Sequence, residues 1–179
     1  MKEVGYMTKI ISISSISGGG KTTIINALKN ALPKSVSLHF DDYSFDENID
    51  YEKWIESGGD YNDWDLALLK NDIDRLIKKT EVDYVLLDYP FAYKNDLINP
   101  YIDLAIYIDT PLDVALGRRI VRDMKNSSNE EIRAYVDRYV KYERPLYQFM
   151  LDTIPPNSDM IVDGTKSVDE IVEKILQEV

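Results

Sequence analysis

The chain has no cysteine and a single histidine, His39. Without thiols there is no disulfide and no thiolate metal site, which fits a reducing compartment such as the cytosol. The one histidine falls inside an expected strand and reads as structural, so no histidine-based chemistry or metal site is available. No apolar run approaches the roughly 20 residues that a membrane-spanning helix needs. The opening segment MKEVGYMTK has no apolar signal core and reads as a loose lead-in, so a cytoplasmic protein is expected. Positive charge is scarce: 21 Lys and Arg stand against 32 Asp and Glu, a net charge of −11. That balance opposes a sequence-independent grip on nucleic acid. Neither a repeat nor an interdomain linker breaks the 179 residues, which are expected to form one domain, 1–179. The sequence carries no signal of oligomeric state.

What is present alternates. Strands are expected at Lys9–Ser14 (KIISIS), Ser35–Phe40, Asp83–Asp88 (DYVLLD), Asp103–Asp109 (DLAIYID) and Asp159–Asp163, from short β-branched or near-continuous apolar runs. Helices are expected at Thr22–Leu32, Leu66–Lys79, Pro111–Met124 with Pro111 in the first turn, and Val168–Val179. Glu130–Leu151 reads as one long helical stretch that bends or breaks at Pro145. Glu47–Asp65, with Trp54, Tyr61 and Trp64, reads as aromatic and irregular. Strands alternating with helices argue an α/β sandwich with a mainly parallel five-stranded sheet and helices on both faces. Ligands of such folds sit at the carboxyl ends of the strands. Here those ends carry Ser14 leading to Lys21, then Asp41 and Asp42, then Asp88, then Asp109.

The stretch Ser15–Thr23, SISGGGKTT, joins the first strand to the first helix. The first N–H groups of a helix have no intrahelical partner, and the dipole there favours an anion. Gly18, Gly19 and Gly20 let the backbone wrap a phosphate; Lys21 adds a compact charge and Thr22 a hydroxyl suited to Mg²⁺. The pattern G-x-x-x-x-G-K-[ST] is met except at its first position, where Ser15 stands and a positive φ costs more than at glycine. Asp41 and Asp42 follow the second strand, where a carboxylate accepts the proton of an attacking hydroxyl; the alternative is a turn cap. Arg118, Arg119 and Arg122 cluster in RRIVRDMK, either gathered by an anion or spread on a solvated helix face. Trp54, Tyr61, Trp64 and Tyr93 either stack an acceptor ring or cover the core.

Four segments together resemble the uridine kinase-like branch of the P-loop kinases: SISGGGKTT, FDDYSF (40–45), IDTPLDVALGRRIVRDM (108–124) and YERPLYQFMLDTIPPNSDMIVDG (142–164). That branch also holds nicotinamide riboside kinases and phosphoribulokinases. The resemblance runs over roughly Lys9–Gly164 and implies a three-layer P-loop NTPase sandwich with a helical lid at about 117–130. It implies an ATP-dependent kinase that uses Mg²⁺ and phosphorylates a nucleoside hydroxyl, uridine or cytidine foremost. Nicotinamide riboside, pantothenate or a sugar are the alternative acceptors, and an ATPase switch without an acceptor is the rival class. A GTPase switch is disfavoured, because the third strand ends in DYPF rather than D-x-x-G and no N-K-x-D follows. By the resemblance Asp41 is the general base, with Lys21, Arg118, Arg119 and Arg122 steadying the transferred charge. Ser15, Ser17, Gly18, Gly19, Gly20, Lys21, Thr22, Thr23 and Gly164 would hold the nucleotide. Asp42, Tyr43, Trp64 and Tyr93 would meet the acceptor, and Thr22 and Asp88 the metal. The family more often has a glutamate followed by glycine near Asp88, where this chain reads DYP.

Overall fold

The computed structural model describes residues 8–44 and 49–179. The expected lead-in at 1–7, Phe45 of the acidic turn, and Glu47 and Asn48 at the head of the aromatic stretch lie outside the described residues. Five strands, β1 (Lys9–Ser14), β2 (Ser35–His39), β3 (Tyr84–Asp88), β4 (Leu104–Asp109) and β5 (Met160–Asp163), form one sheet in the order β2-β3-β1-β4-β5. Every pairing is parallel. The chain leaves β1 for the sheet edge at β2, returns to β3 beside β1, and places β4 on β1's other side. The carboxyl end of β1 is therefore the switch point at which an open parallel sheet forms a crevice.

Among the described residues seven α-helices complete the layers: α1 (Lys21–Ala31), α2 (Tyr51–Glu56), α3 (Ala67–Leu76), α4 (Leu112–Asp123), α5 (Asn129–Arg138), α6 (Arg144–Thr153) and α7 (Val168–Leu176). Side chains alternate across each strand, so Ile11, Ile13, Leu86, Ile106 and Ile108 meet α1 and α7 through Ile24, Ile25, Leu28, Ile171 and Ile175. Ile10, Val85, Leu87, Ala105 and Tyr107 face the other way and pack on Leu69, Ile73, Met150 and Ile154 of α3 and α6.

Several boundaries differ from expectation for local reasons. α1 begins at Lys21, because Gly20 at φ 105° serves as its N-cap. β2 ends at His39, and Phe40–Asp42 tighten into a 3-10 turn. Pro111 is the N-cap of α4 rather than a first-turn residue. The 47–65 stretch is not irregular throughout: it holds α2 and a 3-10 turn at Tyr61–Asp63, each capped by an aspartate, Asp50 and Asp60. The expected break near Pro145 is a π-helical turn, Tyr139–Glu143, between α5 and α6. Proline removes an N–H and crowds the carbonyl four residues back, and a wider turn absorbs both.

Ser15 leaves β1 buried, with a φ that is not positive. Its Oγ donates to the Ile108 carbonyl of β4 at 2.8 Å and occupies the space that a side chain on residue 19 would need. The serine at the first position of the motif thus costs no left-handed strain, and it requires glycine at 19 in return. The positive φ values fall on Gly18 and Gly20, at 81° and 105°. A Cβ on Gly18 would lie 2.5 Å from the Ala115 carbonyl of α4.

α4 is fastened to α6 by Arg119. Its guanidinium is buried, donates to Glu143 Oε2 at 2.6 Å and to the Tyr147 hydroxyl at 3.1 Å, and lies over the rings of Tyr135 and Tyr147. Burial alone would lower its pKa, but the Glu143 carboxylate together with Tyr147 and Tyr135 outweighs that and holds it above the ordinary arginine range.

Two stability outcomes are expected. Arg119→Ala removes the α4–α6 tie while leaving Glu143 to Arg138 and Tyr147, and should cost about 1–3 kcal/mol in urea unfolding, with Arg119→Lys recovering little because lysine lacks the planar fork. Ser15→Gly should cost about 1 kcal/mol, since the Ile108 carbonyl loses its donor and the unfolded chain gains freedom.

Candidate active site

Three neighbouring parallel strands end at one level. The register places His39 beside Asp88 and Asp88 beside Ile13, one residue from the glycine loop. Asp88 is buried, and its Oδ2 accepts from the Thr22 hydroxyl at 2.6 Å. The same oxygen lies 3.3 Å from His39 Nδ1, whose ring is held through Nε2 by Ser37 Oγ at 3.1 Å. His39 is a neighbour of this carboxylate, which sequence reading did not anticipate; only the β2–β3 register would have revealed it.

Lys21 opens α1 and turns back over the loop, donating to the carbonyls of Ser15 at 3.1 Å and Ile16 at 3.5 Å. Desolvation lowers its pKa, Asp88 and Asp41 oppose the shift, and Arg122 adds to it. A desolvated ammonium beside left-handed glycines is an arrangement that a nearby anion would stabilise. Asp41, exposed in the 3-10 turn after β2, is close enough to act on Lys21 and Arg122 alike.

Two cavities flank the loop. The first, about 300 Å³, is lined by Ser15, Ser17, Lys21, Asp41 and Asp88 at its polar end. Its other end is aromatic: Phe40, Tyr51, Trp54, Tyr61, Trp64, Phe91 and Tyr147, with Pro90, Leu146 and Met150. The second, about 220 Å³, lies on the other side of the loop and is lined by Gly19, Gly20, Thr23, Arg118 and Gly164, with Lys166, Val168 and the apolar Ile24, Ile108 and Ile171. Thr110 ties the two sides, donating from Oγ1 to the Gly19 carbonyl at 2.9 Å and packing under Gly164.

The expected residues therefore separate into groups. Ser15, Ser17, Lys21, Asp41, Asp88 and Trp64 share the first cavity, with Thr22 hydrogen-bonded to Asp88. Gly19, Gly20, Thr23, Arg118 and Gly164 share the second. The three arginines point three ways. Arg118 Nη2 donates to the Gly164 carbonyl at 3.0 Å. Arg122 is exposed, paired with Asp123 at 2.5 and 2.9 Å, and within electrostatic reach of Asp41 and Lys21. Arg119 differs from the other two: it is buried beside Gly18, bonded through Nη1 to Glu143 and Tyr147, and it holds α4 against α6, with its Nε left without a partner.

On the acceptor side three expected residues fall outside the first cavity. The Tyr93 hydroxyl donates to Asp159 Oδ2 at 2.6 Å, and that carboxylate accepts from Ala105 N near the start of β4. The left-handed turn at Ala92, φ 47°, precedes it, and its hydroxyl is tied at the amino end of the sheet, away from the cavity. Tyr43 donates to Asp72 Oδ2 of α3 at 2.8 Å, and neither it nor the exposed Asp42 lines the first cavity. Trp54 and Tyr61 are buried in the core and also line the cavity. Sequence reading missed Tyr147 and Met150 of α6; helical spacing marks them as apolar without saying which layer they close.

Among the described residues no group of three or more His, Cys, Asp and Glu forms a metal cage. The Thr22–Asp88 pair instead fits a divalent ion whose remaining ligands are phosphate oxygens and water. No helix of the described residues is long and apolar enough to cross a membrane.

Comparison with known proteins places this geometry. The profile described as Phosphoribulokinase / Uridine kinase family matches residues 76–170. A uridine kinase from Staphylococcus epidermidis is 26% identical over 181 residues, covering 87% of each chain. Among solved structures, a gluconokinase from Sinorhizobium meliloti is similar at a TM-score of 0.56 and 16% identity, covering 96% of this chain and 91% of that one. A shikimate kinase from Aquifex aeolicus follows at 0.52 and 19%, covering 94% of each chain. Because the family match takes in more than half of its length, the chain belongs to the phosphoribulokinase / uridine kinase family and is a kinase of the P-loop NTPase fold that phosphorylates an alcohol group.

Proposed function

We propose that this kinase moves the γ-phosphoryl group of ATP onto a hydroxyl of a nucleoside, with uridine and cytidine the first acceptors to test. The relatives named uridine kinase support that choice of acceptor. The observation that carries the reading is the shared cavity in which Lys21, Asp41 and Asp88 meet, with Thr22 bonded to Asp88 at 2.6 Å at its edge.

The loop amides of Ser17–Thr22 and the Lys21 ammonium cradle the β and γ phosphates. Cavity two takes the nucleoside end of ATP, with Gly164 and Thr23 beside it. Asp41 accepts the proton of the acceptor hydroxyl as its oxygen bonds to the γ-phosphorus and the bond to the ADP oxygen breaks. Thr22 and Asp88 would hold Mg²⁺, which supplies charge neutralisation between the phosphates. Arg118 and Arg122 lie on the lid segment 117–130, within the single domain 1–179, and add positive charge where the equatorial oxygens gather it. Arg119 acts at one remove, by fixing the helix that carries the other two.

Lys21→Ala should lower turnover about 10³-fold in a coupled ADP-release assay, as loss of a charge aimed at the transferred group does. Asp41→Asn should leave ATP affinity within about twofold in calorimetry while kcat falls roughly 10²–10⁴-fold. An Asp41→Asn enzyme with normal turnover removes the assigned base. ATP hydrolysis that ignores every added nucleoside points to a nucleotide switch instead.

A further inference from the structure

The aromatic wall of the first cavity is held in two ways. Trp54, Tyr61 and Phe91 brace one another through their rings, at 5.1 Å between Trp54 and Tyr61 and 5.0 Å between Tyr61 and Phe91. Tyr147 of α6 lines the same cavity, but it is fastened by its hydroxyl. That oxygen accepts from Arg119 Nη1 at 3.1 Å and donates to Glu143 Oε2 at 3.5 Å. Burial pushes the pKa of the hydroxyl up to about 12, so at neutral pH it keeps the proton that it donates.

Two neighbours of this hydroxyl lead to the glycine loop. Ser17 lies in the loop, lines the cavity with Tyr147, and is close enough to draw the hydroxyl's pKa down. Arg119 reaches over from α4 with its stem against the loop: a Cβ on Gly18 would lie 2.8 Å from Arg119 Cγ. Two bonds beyond that carbon, Arg119 Nε is buried without a partner. A buried donor left unsatisfied is costly, and a guanidinium is satisfied best by an anion. On its other side α6 carries Phe149, whose ring meets Trp54 at 5.3 Å.

We infer that Tyr147 is a positioning residue that carries the state of the glycine loop to the acceptor wall, so that a nucleotide in the loop raises the affinity for the acceptor. This rests on the kinase reading above. An anion in the loop settles Ser17 and Gly18 around it and gives the Arg119 guanidinium an opposite charge to face. Both groups then fix the Tyr147 hydroxyl, and its ring stands in place before the acceptor arrives. An acceptor that meets an ordered wall loses less entropy on binding. Coupling of this kind is reciprocal, so the acceptor tightens nucleotide binding by the same factor.

The chain has two tryptophans, Trp54 and Trp64, and both line the acceptor cavity while neither lines the second. Their fluorescence therefore reports on the wall with no acceptor present. Saturation with Mg²⁺ and a nonhydrolysable ATP analogue should lower their quenching by acrylamide. Tyr147→Phe keeps the ring and the Arg119–Glu143 pair, so it should still bind the analogue, but its quenching should not respond. Phe149→Leu loosens α6 elsewhere: it should lower the melting temperature while the analogue still shifts the quenching. With uridine as the probe, calorimetry should give an affinity about 5–10-fold higher with the analogue than without, and a ratio near one in Tyr147→Phe. If uridine does not bind, the quenching decides.

Quenching that the analogue leaves unchanged in the unaltered protein, or shifts equally in Tyr147→Phe, overturns the inference and leaves the kinase assignment standing. An analogue that does not bind at all overturns the kinase assignment, and the inference goes with it.

Discussion

The structure depends on parallelism. With β2, β3 and β1 running the same way in register, His39, Asp88 and Ile13 lie side by side, and whatever follows each strand emerges at one edge. One strand delivers the glycine loop and Lys21, its neighbour delivers Asp88, and the next delivers Asp41. An antiparallel β2 or β3 would send one of these carboxylates to the opposite end of the sheet. The Thr22–Asp88 hydrogen bond is the local expression of this constraint, joining a helix N-terminus to a strand C-terminus that are 66 residues apart in sequence.

The charge distribution follows from the same geometry. A protein of net charge −11 gathers Lys21, Arg118 and Arg122 around a single loop. Lys21 is desolvated and its pKa is lowered, a cost that an arriving polyphosphate reverses. The acids Asp41 and Asp88 offset part of that cost beforehand, so the loop remains ordered by contacts to its own carbonyls.

Much of this was legible in the sequence, and the exceptions have physical causes. Short β-branched or near-continuous apolar runs identified all five strands, three of them ending in an aspartate, because strands buried in a parallel sheet show little polar face to confuse the pattern. The glycine loop was readable because glycine, lysine and threonine at that spacing satisfy one chemical need. Helical phase could not say that Arg119 is buried while Arg118 and Arg122 are not. All three lie on one helix, and their fates were set by Glu143 and Tyr147, 24 and 28 residues further on. The contact of His39 with Asp88 was hidden for a similar reason: the two are cross-strand neighbours, and register is invisible in one sequence. Tyr93 could not be placed because its partner, Asp159, is 66 residues further on. Ser15 looked like a defect until its hydroxyl was found bonded to the Ile108 carbonyl.

The DYPF segment explains itself once the aromatic wall is seen. Tyr89 follows Asp88 and points into the core, fully buried, with its ring 5.4 Å from Phe91 and 6.2 Å from Phe40. Pro90 and Phe91 then turn into the first cavity. A glycine after the acid would leave that side of the cavity open, whereas here the chain spends the same positions on ring surface. Trp54, Tyr61 and Phe91 are held by their neighbours' edges and by the core beneath them, so their rings need no reordering when a ligand arrives. Preorganisation of that kind lowers the entropy lost on binding. It also makes the pocket's shape a consequence of folding: the packing that completes the core on this face of the sheet is the packing that defines what the kinase can accept.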